Sequence, residues 1–171
     1  MSKLVKLFST LFLITLIFVG CSGSNKNDAK KIAEQFGRNL YTVDIKKVSD
    51  YNALLKTETI QPFDKTIKPL MTENGYKSLF ANRDDIMNTQ GCAINNYTMQ
   101  VTNFVLTKNF YDDKQNTAGY YYEAKLKFIS GKDKKEQTDV GKGYIGLSKE
   151  NGHWKVSTYK VIIIPDLVMK R

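Results

Sequence analysis

Hydrophobic positions along this chain change their period twice, and the changes divide it into three stretches. Leu7 to Val19 is an unbroken uncharged run behind Lys3 and Lys6. From Ala29 the apolar positions recur at three and four, through Ile32, Ala33, Phe36, Leu40 and Val43. This spacing predicts an amphipathic helix with Asn27 or Asp28 as its N-cap, weakened but not broken by Gly37. Asp44 suits the cap of a second helix that turns Ile45, Val48, Tyr51 and Leu55 inward. The chain then bends from Thr57 to Pro62. A short helix, Phe63 to Ile67, follows and is ended or kinked by Pro69. Thr72-Glu73 opens another helical stretch with Tyr76, Leu79, Phe80 and Ile86 facing inward, and Asn88 to Asn96 reads as a loop around Gly91.

After Tyr97 the period drops to two. Tyr97, Met99 and Val101 share a face, and the phase shifts through Asn103 to Phe104 and Leu106, as a β-bulge would shift it. Asp112 to Gly119 is a polar connection. The next strand alternates Tyr120, Tyr122, Ala124, Leu126 and Phe128 against Glu123, Lys125 and Lys127, so one sheet face is buried and the other wet. Gly131 to Lys135 is a charged hairpin tip, followed by a strand through Val140, Tyr144 and Leu147. Asn151-Gly152 signals a type I′ hairpin. The last strand starts at Trp154 and Val156, changes phase near Thr158, and stops at Pro165. Helices followed by an antiparallel meander predict an α+β domain, with N-terminal helices packed on a curved antiparallel sheet of about four strands.

The first apolar run is too short to span a bilayer, which takes about 20 residues. It ends in Phe18-Val19-Gly20-Cys21. This ending resembles the lipobox of bacterial lipoproteins, in which a small residue precedes a cysteine that receives diacylglycerol on its sulfur before the leader is cut away. By that resemblance Gly20 and Cys21 flank the cleavage and Cys21 is the lipidation site. Phe18 departs from the leucine usual there. The expected organisation is a signal peptide at 1–20, lipidated Cys21 with a short tether to residue 27, and one domain at 28–171. Six extended tether residues reach only about 20 Å, which keeps the domain near the bilayer. Two acyl chains hold far beyond equilibrium release, and no cofactor besides this diacylglycerol and palmitate is expected.

Of 171 residues, 26 are Lys or Arg and 17 Asp or Glu, for a net charge of +9. A leader carrying Lys3 and Lys6 takes two of these charges with it, so the mature chain stays basic and is drawn to anionic lipid heads and wall polyanions. Lys26, Lys30 and Lys31 follow the expected anchor and read either as a solvated helix face or as a contact worth about 1 kcal/mol each at an anionic surface. With Cys21 acylated, Cys92 has no disulfide partner. A disulfide-free exported domain rich in Lys, Asn and Ile resembles lipoproteins of low-GC Gram-positive bacteria. The expected location is then the outer leaflet of the cytoplasmic membrane, or the outer membrane in a Gram-negative cell.

The element order, with Asn151-Gly152-His153-Trp154-Lys155-Val156 in the last hairpin, resembles the nuclear transport factor 2-like superfamily over most of residues 28–165. That likeness implies a cone whose mouth holds a pocket or a docking surface. Tyr120, Tyr122, Tyr144 and Trp154 are the candidate ligand or partner surface, with core packing as the competing role of the tyrosines.

Catalytic chemistry finds little support in the residues. His153 is the single histidine and sits beside a tight turn, a poor place for a general base. Cys92 has no activating neighbour in sequence and reads as an inert thiol. Asp84-Asp85 and Asp112-Asp113 lie near helix ends or loops, where adjacent acids are usually solvated. Gly141-Lys142-Gly143 leads into a strand, so it is not a phosphate loop, and its glycines suit a bending sheet. One histidine and one spare cysteine give no zinc set. Export argues against nucleic acid as a partner, DNA crossing the envelope excepted. The expectation is a noncatalytic binding module of the cell envelope whose partner is another envelope protein. The alternatives are an accessory or exclusion component of a conjugative or mobile element, or a small-molecule enzyme using carboxylates inside the cone.

Overall fold

The computed structural model describes residues 22–47, 65–84 and 86–169. Gly20, Cys21, Asp85 and the positions Val48, Tyr51, Leu55, Pro62 and Phe63 lie outside the described residues. The first helix, α1, is Ser22–Leu40. It begins at the segment expected to be a tether, well before the expected caps Asn27 and Asp28. Its buried stripe is Ala29, Ala33, Phe36 and Leu40, all fully enclosed, and the two alanines let the helix lie close on the sheet. After a 3₁₀ turn at Ile45–Lys47, in which the Asp44 carboxylate accepts from the Lys46 amide at 3.2 Å, the described chain resumes with a helical turn at 65–67 and a 3₁₀ turn at Lys68–Leu70.

Helix α2, Glu73–Ala81, is capped by Thr72, whose hydroxyl accepts from the Gly75 amide at 3.0 Å. Leu79 is buried as expected, whereas Phe80 is 40% exposed. The stretch expected as a loop from Asn88 is instead helix α3, Met87–Asn95. Its inward residues are Asn88, Thr89, Gly91 and Cys92, so polar and small side chains occupy the places where hydrophobic periodicity is normally read. Asn88 is buried and donates to the Leu40 carbonyl at 3.0 Å, satisfying a group left open at the end of α1. Gly91 lies against Val168, where a Cβ would collide with both side chain and backbone.

Strands β1 (Tyr97–Asp112), β2 (Thr117–Ser130), β3 (Glu136–Glu150) and β4 (His153–Ile163) form an antiparallel sheet in the order β1-β2-β3-β4. The register pairs Met99 with Phe128, Leu106 with Tyr122, Tyr120 with Ile145 and Leu147 with Val156. Irregularities fall between Val101 and Asn103 and between Gly146 and Leu147, the latter facing Val156 and Thr158. These are the two places where the sequence changes phase. Further shifts occur at Lys108/Phe110 and Lys142/Gly143. Each adds local twist and curves the sheet around the helices. Asn151 and Gly152 take φ of 52° and 81°, as the type I′ turn requires.

The sheet's outer edges are partly closed. Val43 exchanges backbone hydrogen bonds of 2.9 Å with Met99 beside β1, and Met71 bridges to Val156 on β4. A short helix that the sequence did not signal, α4 (Asp166–Met169), follows Pro165 and docks by the Leu167 amide donating to Asp139 Oδ2 at 3.0 Å. The core lies between the inner sheet face and α1 to α4.

Replacing Gly91 with Ala is expected to destabilise the fold by about 1–3 kcal/mol through overpacking against Val168. Ile94→Ala on the exposed side of the same helix should stay within about 0.5 kcal/mol of the parent. Urea denaturation of the two variants checks the contrast.

Candidate functional site

On the inner, helix-covered face of the curved sheet, three tyrosines converge. Tyr41 follows the last turn of α1, Tyr122 comes from β2 and Tyr159 from β4. Their hydroxyls lie 3.0 Å (Tyr41 to Tyr122), 2.9 Å (Tyr122 to Tyr159) and 3.3 Å (Tyr41 to Tyr159) apart. A phenol has one proton to donate and lone pairs to accept, so three in a ring satisfy one another with no outside partner. All three are buried, and Phe36 and Phe104 close the group from the sides. Phe104 stacks on Tyr122 at 5.5 Å, Tyr122 on Tyr159 at 6.0 Å, and Phe36 meets Tyr159 edge-on at 5.4 Å.

Gly141 and Gly143 make this packing possible. Side chains there would run into Tyr41 and Tyr122 respectively. Burial raises the pKa of all three phenols above the ordinary 10.0, strongly for Tyr122 and Tyr159. They stay neutral through the physiological range and supply no phenolate. Asp84, half-buried, is within electrostatic reach of Tyr41 and Tyr122. Desolvation pushes its carboxyl up, partly offset by a hydrogen bond from Asn82.

A second aromatic group lies at the end of the sheet formed by the β1–β2 and β3–β4 turns. Tyr111 and Trp154 have ring centroids 5.7 Å apart. Lys26 Nζ sits 5.2 Å over the Tyr111 ring and Lys149 Nζ 5.1 Å over Trp154. Trp154 is 6% exposed, and its Nε1 donor is buried with no acceptor.

The outer sheet face carries the third group. Cross-strand pairing aligns Thr107, Tyr121, Tyr144 and Lys160 in one row, and Val105, Glu123, Lys142 and Ile163 in the next. Tyr121 and Tyr144 meet at 5.5 Å, and Lys142 pairs with Glu123 at 2.8 Å. Val105, Phe110, Tyr121 and Ile163 are each at least 40% exposed. Phe110 and the Tyr144 hydroxyl both lie over Gly119.

No family model matches the sequence, and no curated protein matches it. Among solved structures the chain is similar to an IcmL-like type IV secretion system protein from Legionella pneumophila. Identity there is 14% and the TM-score 0.52, over 79% of this chain and 88% of that one. It is also similar to the periplasmic domain of DotI, at 11% identity and TM-score 0.45, over 77% of this chain and 90% of that one. A nuclear transport factor 2-like superfamily protein from Salmonella enterica serovar Typhimurium gives 13% and 0.42, over 81% and 94%. What the Legionella protein shares with this chain is the fold.

Within that fold the four aromatics singled out in sequence separate. Tyr120, Tyr122 and Trp154 point inward and are buried, while Tyr144 is on the opposite face beside Tyr121. Tyr41 and Tyr159, which complete the ring, were not singled out. His153 is exposed at its turn. Cys92 is fully enclosed in α3, and burial pushes its thiol up to about 12. Asp112 organises its turn by accepting from the Lys114 and Gln115 amides at 2.8 and 3.0 Å. Among the described residues no three His, Cys, Asp or Glu come together as a metal site.

Tyr159→Phe removes one member of the ring and leaves its neighbours a hydrogen bond short, an expected loss of about 1–3 kcal/mol at neutral pH. The phenols ionise first in the unfolded chain, near 10.0, because their folded values are raised. The ring's contribution is therefore complete below that pH and is lost as pH climbs through the folded values. Urea midpoints followed upward from pH 10 should fall for the parent and fall less steeply for Tyr159→Phe.

Proposed function

We propose that this chain is a lipid-anchored, noncatalytic protein-interaction module of the bacterial cell envelope, held through Cys21 on the outer leaflet of the cytoplasmic membrane. The observation that carries the noncatalytic part is the ring of Tyr41, Tyr122 and Tyr159, which fills the inner face with mutually satisfied neutral hydroxyls. Contact with a partner falls to the outer face. There Val105, Phe110 and Tyr121 offer apolar surface, and Lys125 and Lys160 have no carboxylate within ion-pair reach among the described residues. This pattern fits a partner with an apolar centre and an acidic rim. A second copy of so basic a chain would set lysine against lysine.

The fold likeness to a type IV secretion system protein supports a sharper version, an accessory or exclusion component of a conjugative or mobile element's envelope apparatus. The enzymatic alternative rests on Asp84, whose carboxyl is raised and half-buried near the ring. Asp84→Asn would abolish function under that alternative and leave partner contact intact under ours.

The anchor has an independent chemical readout. The chain has two cysteines, and Cys92 is enclosed. Unfolding the mature protein should expose one titratable thiol if Cys21 is acylated and two if it is not, with palmitate label lost in Cys21→Ser. For the partner surface, a photocrosslinking residue at Tyr121, in intact membranes, should give a discrete adduct that disappears when Lys125 and Lys160 are both changed to Glu. The same probe at Ile94 should give none. Identical adducts from both positions, or an adduct of twice the chain's own mass, would refute the assigned surface.

A further inference from the structure

Tyr111 and Trp154 lie on the side of the sheet away from the proposed partner surface, and the chemistry around them points elsewhere. Helix α1 begins at Ser22, the residue joined to Cys21, and rises about 1.5 Å per residue, so Lys26 lies only about 6 Å along the helix from Ser22. Lys26 also sits over Tyr111, which fixes that first turn beside the β1–β2 and β3–β4 turns. A lipid on Cys21 would enter the bilayer next to this end of the domain.

The end itself has the composition of a membrane interface. Lys26 lies over Tyr111, Tyr111 against Trp154 and Lys149 over Trp154, and tyrosine, tryptophan and lysine are the side chains that settle at the headgroup layer. Neighbouring acids are mostly occupied. Asp112 is held by turn amides, and Glu150 pairs with Lys155 at 3.4 Å. Asp113, beside Tyr111, and Asp28, two residues after Lys26, are the further exposed carboxylates. Alongside them stand Lys26, Lys114 and Lys149, with no carboxylate in ion-pair reach among the described residues. Trp154 adds a separate sign. Its Nε1–H is buried without an acceptor, a state costly enough that a modest shift toward an acceptor is favoured. Phosphate and ester oxygens at a bilayer surface are such acceptors.

We infer that the end of the sheet formed by Tyr111, Trp154, Lys26 and Lys149 rests on the anionic headgroup layer of the membrane. This orientation builds on the Cys21 anchor reading and adds to it a specific lipid-facing surface. Trp154 is the single tryptophan of the chain, so its fluorescence reports on this end alone.

The mature protein, purified from membranes, is mixed with vesicles of phosphatidylcholine alone or with phosphatidylglycerol in equal parts, each made with brominated acyl chains. Trp154 should be quenched clearly more in the phosphatidylglycerol vesicles. The Lys26→Glu/Lys149→Glu variant should fall back to the phosphatidylcholine level while still floating with the vesicles. Flotation with phosphatidylcholine reads the anchor on its own. A protein that does not float there yet is quenched by phosphatidylglycerol retains this surface and loses the anchor. Equal quenching in both lipids, or quenching that survives the charge reversal, overturns the surface whatever flotation shows.

Discussion

Three phenol hydroxyls in dry surroundings govern much of this molecule. A hydroxyl taken from water without a partner costs a few kcal/mol, so Tyr41, Tyr122 and Tyr159 can be buried together only because each meets the others. Meeting imposes demands on distant parts of the chain. β4 must change phase between Val156 and Thr158 for Tyr159 to point inward, which is what the irregularity at Gly146/Leu147 accomplishes. β3 must present Gly141 and Gly143 beneath the rings. α1 must end where Tyr41 reaches the group, a position fixed by Asn88 at Leu40 and by the Val43–Met99 bridge. Sheet curvature, helix placement and the filled inner face are thus one constraint seen from three sides.

The parts of this arrangement that depend on alternation were legible in the sequence. β2 shows a clean period of two from Tyr120 to Phe128, and the shifts at Asn103 and Thr158 announced bulges because inward side chains cannot change face any other way. Helix α3 was not legible. Its buried face is Asn88, Thr89, Gly91 and Cys92, chosen for a hydrogen bond and a close approach, and neither leaves a hydrophobic signature. The four-residue α4 is shorter than any periodicity can reveal.

The candidate site was readable only in fragments. Alternation separates Tyr121 from its two neighbours, but it does not say that Tyr144 joins Tyr121 across the strands, since that follows from register. Tyr41 falls four residues after Gly37 at the edge of the helical stripe, and Tyr159 follows the phase change near Thr158, so both carried a weak signal. Neither signal shows that three hydroxyls converge, because the distance between residues 41 and 159 is a property of the fold.

Geometry narrows how such a domain can meet another protein. The inner face is filled, and Val43 at Met99 of β1 and Met71 at Val156 of β4 each block one point of an edge strand, so strand addition is restricted to the rest of each edge. The outer face keeps exposed aromatics on a rigid sheet, with Tyr121 and Tyr144 already packed together, so little side-chain freedom is left to lose on binding. Were the Tyr111–Trp154 end to face a bilayer as proposed, α1 would lead away from the membrane and the outer face would stand to the side of the anchor. A partner embedded in or attached to the same membrane could then meet that face by lateral diffusion. Such a contact would need no movement of the domain off the lipid, because Tyr121 and its row lie on the outer face while Tyr111 and Trp154 lie on the inner side at one end of the sheet.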